Sequence, residues 1–231
     1  MRIAYCVLAI THKECLHYIL YEAAGSSSRV FTNGVRDRGR NGERLSDFVS
    51  HRHSKWSGLS EAHVLALRLY TSAAYKSLNG PLRQSRDSAA PHPFPVMVSL
   101  IAEGLKRLRS VAADRRRGCA HSQDSLAWHG DLRVDDAFAS EGGTEMAPLS
   151  ATSEFRVAIR YALSSHSLLF KMVTKSFMDR GVDLSYLSCF PEESEHLFAP
   201  LTYLRPTGNS QLTDMGASTI LIVEVEPSFG T

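Results

Sequence analysis

The chain has 231 residues, of which 43% are hydrophobic and 22% charged, so its composition is that of a globular protein. Its net charge of +2 is too small to predict a nucleic-acid partner. The four cysteines form no Cys-x-x-Cys pair, so the sequence predicts neither a zinc site nor a disulfide scaffold. Such a chain fits a reduced, cytoplasmic setting.

The N-terminal quarter of the chain combines one apolar run with a long polar segment. Residues 3–10 are apolar but too short to span a bilayer. They could form a weak signal-peptide core, but charged residues interrupt the run early, and an amphipathic helix over about 3–22 is preferred. Residues 25–55 are rich in Gly, Ser, Arg and Asn, which predicts a poorly ordered linker. We therefore expect a helix and linker over residues 1–55 and one folded domain over 56–231.

Two helices are predicted in the next part of the chain. Ser60 is suited to cap the first, whose apolar residues follow a helical period to about Leu78. The tripeptide Asn-Gly-Pro at residues 79–81 is expected to end it. A second amphipathic helix is predicted over residues 96–111.

Strand patterns are typical of the remaining chain. A short strand is predicted at residues 125–130, and Ser153 is suited to cap a helix over 155–163. Residues 167–173 read as a further strand. The clearest strand is 218–226, whose apolar run predicts burial on both faces or at the centre of a sheet.

Three carboxylates, Glu192, Glu193 and Glu195, stand just before an apolar segment. In a strand, Glu193 and Glu195 would share a face, about 7 Å apart. Two carboxylates held so close are costly unless they have a role. A solvated strand end is an equally simple interpretation of these residues alone.

Several of these segments together resemble the arginine-type mono-ADP-ribosyltransferase family. Phe-Pro-Glu-Glu-Ser-Glu at residues 190–195, followed by Leu-Phe-x-Pro-Leu-Thr, is similar to the family's Glu-x-Glu loop and strand. Ser-Ala-Thr at 150–152 is similar to its Ser-x-Ser/Thr strand, and Trp-His-Gly at 128–130 to its aromatic-Arg-Gly strand. The helix that carries Tyr70 resembles the helix beneath the family's NAD site. The resemblance covers about residues 59–227, with the segments in the same order.

The resemblance implies the fold and the reaction. The expected fold is α+β, an ADP-ribosyltransferase-like split β-sandwich of two mostly antiparallel sheets with flanking helices. The expected reaction transfers ADP-ribose from NAD or NADP to arginine side chains of an acceptor protein and releases nicotinamide. No metal, nucleic acid or membrane is expected to take part.

The resemblance also implies roles for particular residues. Glu195 would bind the ribose 2′-hydroxyl and stabilise the oxocarbenium-like charge that develops as nicotinamide leaves. Ser150 would hold that carboxylate in place. Glu193 would accept hydrogen bonds from the incoming guanidinium, which makes these three residues the predicted catalytic group.

Four residues form the predicted NAD-binding set: His129, Gly130, Thr152 and Tyr70. His129 stands where the family has an arginine, and a histidine offers neither a permanent charge nor a planar fork for phosphate. This departure predicts reduced activity. It also leaves two alternatives open: a domain that binds without turnover, and an NAD glycohydrolase that uses water as the acceptor.

Overall fold

The computed structural model describes residues 12–21, 36–40, 43–84, 91–115, 125–127, 136–162, 168–175, 179–216 and 218–229. The chain divides into two compact units. One comprises Met1–Arg115 and Leu184–Glu192, and the other comprises Arg116–Asp183 and Glu193–Thr231. The predicted boundary between residues 55 and 56 does not coincide with this division. None of the described helices is long and apolar enough to cross a membrane.

The first unit contains helices where a poorly ordered linker was expected. The first three helices among its described residues are α1 (His12–Tyr21), α2 (Leu45–Ser50) and α3 (Arg52–Trp56). The linker prediction is therefore wrong for the described residues between 36 and 55. Leu45 and Phe48 are buried, and so is the charged side chain of Asp37. The sequence did not predict this ordered structure, because the segment is polar and part of its order comes from buried ion pairs.

Three helical segments follow one another in the same unit: α4 (Glu61–Leu69), a π-helical segment (Tyr70–Ala74) and α5 (Tyr75–Gln84). Ser60 caps α4 as predicted, since its side chain accepts a hydrogen bond from the backbone N–H of His63. Ser72 leaves the helical conformation, with φ −94° and ψ −177°. Its hydroxyl donates to the carbonyl of Leu69 at 2.6 Å, which accounts for a local kink in the helical path.

The predicted end of this helical region at residues 79–81 is wrong, because α5 continues to Gln84. Pro81 removes one helical hydrogen bond, since proline has no N–H. Leu78 and Asn79 of the same turn are buried, and the Asn79 amide donates to the hydroxyl of Tyr70 at 3.1 Å. This burial keeps the helix intact through the proline. The next helix, α6 (Pro95–Arg115), contains the helix predicted over 96–111.

The second unit contains two helices and eight strands among its described residues. The helices are α7 (Asp136–Glu141) and α8 (Phe155–Ala162). The strands are β1 (Ser125–Ala127), β2 (Gly143–Glu145), β3 (Leu149–Thr152), β4 (Leu168–Met172), β5 (Val182–Asp183), β6 (Glu195–Phe198), β7 (Thr202–Asp214) and β8 (Thr219–Phe229).

The strands pair in the order β2-β7-β8-β4-β1-β3-β6-β5. All neighbouring pairs are antiparallel except β4 and β8, which are parallel. The predicted α+β class with mostly antiparallel strands is confirmed. The short strand β1 pairs with β4 on one side and with β3 on the other. Through β1, hydrogen bonds link the strands of the two predicted sheets.

Alternation along β4 explains how the sheet is covered. Leu168, Phe170 and Met172 belong to one buried cluster, together with side chains from β3, β6 and β8. Leu169, which points the other way, packs in a second cluster with Ala158 and Ala162 of α8. Helix α8 is therefore fixed on one face of the sheet, next to β3 and β4.

Candidate active site

The register of β3 and β6 brings a serine to a glutamate. Thr152 lies opposite Glu195, and Ser150 lies opposite Leu197, two residue pairs further along the ladder. Leu149 is buried beside Ser150, so β3 is anchored while the serine hydroxyl stays exposed. The Ser150 hydroxyl donates to Oε1 of Glu195 at 2.8 Å. Strand pairing thus holds a half-buried carboxylate in a fixed orientation.

Glu193 lies in a tight turn just before β6, and the expectation that it shares a strand face with Glu195 is wrong. Pro191–Glu193 is one turn of 3₁₀-helix, and Ser194 has a left-handed backbone with φ +45°. The strand therefore begins only at Glu195. The sequence pattern concealed this turn because no glycine marks the left-handed position.

Thr152 holds the backbone of this turn. Its hydroxyl donates to the carbonyl oxygen of Glu193 at 2.6 Å and accepts from the backbone N–H of Glu154 at 2.9 Å. Thr152 is only 6% exposed. Both contacts are to the protein's own backbone, so the geometry of Thr152 is that of a support for the turn. Its predicted part in NAD binding stays a prediction.

The carboxyl of Glu193 has a partner that the sequence analysis missed. The hydroxyl of Tyr161, in the last turn of α8, donates to Oε1 and Oε2 of Glu193 at 3.0 and 3.1 Å. The sequence predicted only the helix over 155–163 that carries this tyrosine. Nothing in the pattern connected this tyrosine to a carboxylate that lies 32 residues further along the chain.

Burial raises the pKa of Glu193 to about 7, and the neighbouring carboxylate of Glu195 acts in the same direction. The hydrogen bond from Tyr161 and the positive charge of Arg160 oppose this rise, because both stabilise the ionised form. Glu193 therefore exchanges its proton close to neutral pH. A carboxyl with this property can accept a proton from a reacting group.

The remaining predicted site residues have different outcomes. Tyr70 belongs to the first unit, is 2% exposed and accepts the hydrogen bond from Asn79, and its role in NAD binding stays a prediction. His129 and Gly130 lie outside the described residues. The second unit brings together Ser150 and the two glutamates, whose catalytic roles also stay predictions.

No protein-family model matches the chain, and no curated protein matches its sequence significantly. Solved structures do match its fold. The ADP-ribosyltransferase HopU1 of Pseudomonas syringae pv. tomato has a TM-score of 0.57 at 15% identity, over 81% of this chain and 88% of that one. Plx2a, an ADP-ribosyltransferase toxin from Paenibacillus larvae, has a TM-score of 0.55 at 17% identity, over 80% and 95% of the respective chains.

The ADP-ribosylating toxin BECa of C. perfringens, solved with NADH, has a TM-score of 0.52 at 14% identity. The match covers 80% of this chain and 48% of that one. These likenesses establish the fold: the chain has the architecture of ADP-ribosyltransferases, in agreement with the resemblance of its sequence motifs.

Proposed function

We propose that this protein transfers ADP-ribose from NAD to arginine side chains of a protein acceptor, with release of nicotinamide. The observation that carries the proposal is the Ser150–Glu195 hydrogen bond next to the carboxyl of Glu193, in a chain with the ADP-ribosyltransferase fold. One protein of similar fold was solved with NADH, which supports a nicotinamide dinucleotide as the ligand.

In the proposed reaction, Glu195 assists the departure of nicotinamide. The bond between ribose C1′ and the nicotinamide nitrogen breaks, and its electron pair leaves with nicotinamide. Positive charge then develops on the ribose, as in glycoside cleavage. A carboxylate that accepts a hydrogen bond from the 2′-hydroxyl stabilises this charge more as it grows. Ser150 keeps the Glu195 carboxylate oriented before the substrate arrives, so little reorganisation is needed.

Glu193 serves the acceptor in the same proposal. A guanidinium nitrogen supplies the electron pair that forms the new bond to C1′, and it loses one proton as it does so. Arginine is protonated at neutral pH, so a nearby base is required. The Glu193 carboxylate binds the guanidinium and takes this proton, as suits a group whose pKa is raised to about 7.

One departure from the family pattern favours a second function. His129 replaces the family's arginine, so a domain that binds NAD weakly, or binds a partner without turnover, would keep the fold and lose the chemistry. Hydrolysis of NAD by water is the other alternative. A single assay separates these three functions, because it reports nicotinamide release and transfer independently.

The assay uses the full chain with labelled NAD, with and without an arginine-rich protein. We expect nicotinamide release and label transfer from the wild type, and the loss of both in Glu195→Gln with an unchanged thermal melting curve. Glu192→Gln is the matched control, since this exposed carboxylate pairs with Arg38 in the first unit, and it should keep full activity. Undiminished turnover of Glu195→Gln would exclude the role proposed for Glu195.

A further inference from the structure

We infer that Tyr161 recognises the arginine acceptor, its hydroxyl positioning the carboxylate of Glu193 and its exposed ring receiving the flat face of the guanidinium. The inference deepens the proposed function and rests on it. Tyr161 was not among the residues that the sequence motifs indicated.

The hydroxyl contact fixes the side chain of Glu193. It reaches both carboxylate oxygens, at 3.0 and 3.1 Å, which restricts rotation of the carboxyl group. The backbone of Glu193 is held separately, by the Thr152 hydroxyl on its carbonyl oxygen. Glu193 is thus held by one contact from α8 and one from β3. A base fixed in this way can meet a planar partner in a defined orientation.

The ring of Tyr161 is exposed, although α8 has a well-buried face. Val157, Ala158 and Ala162 of this helix are buried, whereas Tyr161 is 37% exposed. A guanidinium is planar, so it can stack on an aromatic face while it donates hydrogen bonds to a carboxylate at the ring's edge. A lysine ammonium lacks this planar fork. The combination of an exposed ring and a fixed carboxylate therefore favours arginine over lysine as the acceptor.

The charged groups around Glu193 make this role measurable. Tyr161 and Arg160 face it from α8, and Glu195 faces it from β6. Burial and Glu195 raise the pKa of Glu193, whereas the tyrosine hydroxyl and Arg160 lower it. Loss of the hydroxyl therefore raises this pKa further. The base would then be ionised only at higher pH, and the pH profile of transfer should move in the same direction.

The first test follows the titration of Glu193 in the full chain by NMR of isotope-labelled glutamate carboxyl carbons, with Glu193→Gln to assign the signal. We expect Tyr161→Phe to raise the titration midpoint by about one pH unit. Tyr203→Phe is the matched control, because it removes a hydroxyl that donates to the Glu141 carbonyl in the same unit. It should leave the midpoint unchanged. An unchanged midpoint in Tyr161→Phe would overturn the inference.

The second test measures transfer to an arginine peptide and nicotinamide release in water. We expect Tyr161→Phe to move the pH profile of transfer upward, and Tyr161→Leu to raise the KM for the peptide about tenfold, since it removes the ring as well. In both variants the loss of transfer should exceed any loss of nicotinamide release. A wild-type KM in Tyr161→Leu would overturn the acceptor role.

Failure of the proposed function has a different signature. The wild type would then transfer no label to arginine, while the NMR midpoint would still move in Tyr161→Phe. That result would show that Tyr161 positions Glu193 but does not recognise an arginine acceptor.

Discussion

Asp37 in the first unit and Glu193 in the second are two carboxyl groups withdrawn from water in opposite ways. Asp37 is fully buried and accepts hydrogen bonds from Tyr18, Arg40 and Arg68 at 2.7, 2.8 and 2.8 Å. Glu193 is half-buried and has another carboxylate as its neighbour. Two guanidinium groups balance the negative charge of Asp37. Burial, in contrast, raises the pKa of Glu193 to about 7. The difference separates a group that stabilises the fold from one suited to proton transfer.

The buried cluster around Asp37 holds a loop of its own unit. The backbone N–H of Asp37, together with the guanidinium groups of Arg40 and Arg68, donates to backbone carbonyls of this loop. These carbonyls are those of Ser185, Leu187, Ser188 and Cys189. Each of these four carbonyls thereby has a donor. The cluster thus ties a segment near residue 37 to a loop far along the chain.

The largest expected effect comes from breaking this cluster. Asp37→Ala leaves the side chain of Arg68, which is 3% exposed, without its buried counter-charge. We expect the free energy of unfolding to fall by about 3–5 kcal/mol in urea denaturation. The double variant Asp37→Ala with Arg68→Leu should recover part of this loss. If Asp37→Ala unfolds like the wild type, the cluster does not stabilise the first unit.

A smaller change in the free energy of unfolding, an increase relative to the wild type, is expected for Glu193→Gln. The folded-state pKa of about 7 lies above the ordinary value of 4.5, so this group favours the folded state at low pH and loses that contribution as pH rises through 7. The variant Glu193→Gln does not have this loss. Its unfolding free energy relative to the wild type should rise between about pH 5 and pH 8, by about 1–2 kcal/mol after allowance for solvent screening. A relative fall over this range would show that the folded protein stabilises the ionised carboxylate.

The smallest change in the free energy of unfolding is expected when an exposed ion pair in the first unit is broken. Arg38 donates to Glu192 at 3.0 Å, but their side chains are 54% and 53% exposed. We expect Arg38→Ala to change the unfolding free energy by less than about 0.5 kcal/mol. It serves as the control for Asp37→Ala, because both variants remove one charge from the same short segment. A loss comparable to that of Asp37→Ala would mean that burial does not distinguish the two pairs.

The sequence predicted the parts of the molecule that local patterns encode. Ser60 caps α4 because its chemistry suits the end of a helix, and a continuous apolar run located β8. The motifs also indicated Ser150 and Glu195, which the structure places within hydrogen-bond distance.

The rest depends on contacts between distant segments. Asp37 and Arg68 are 31 residues apart, and their pairing gives order to a segment whose composition predicts none. The left-handed turn at Ser194 and the contact between Tyr161 and Glu193 likewise have no local signature. Pattern reading therefore identified the carboxylates and missed the groups that set their geometry.

The most direct test of separate roles for the two glutamates uses the variant Glu193→Gln. Nicotinamide release and label transfer to an arginine peptide are measured in the same reaction mixture. Glutamine keeps the shape of the side chain and cannot accept the guanidinium proton. We expect nicotinamide release to stay near the wild-type rate, because Ser150 and Glu195 are unchanged. Transfer should fall by about a hundredfold or more, the usual effect of losing a general base. Equal loss of release and transfer would contradict a separate acceptor role for Glu193.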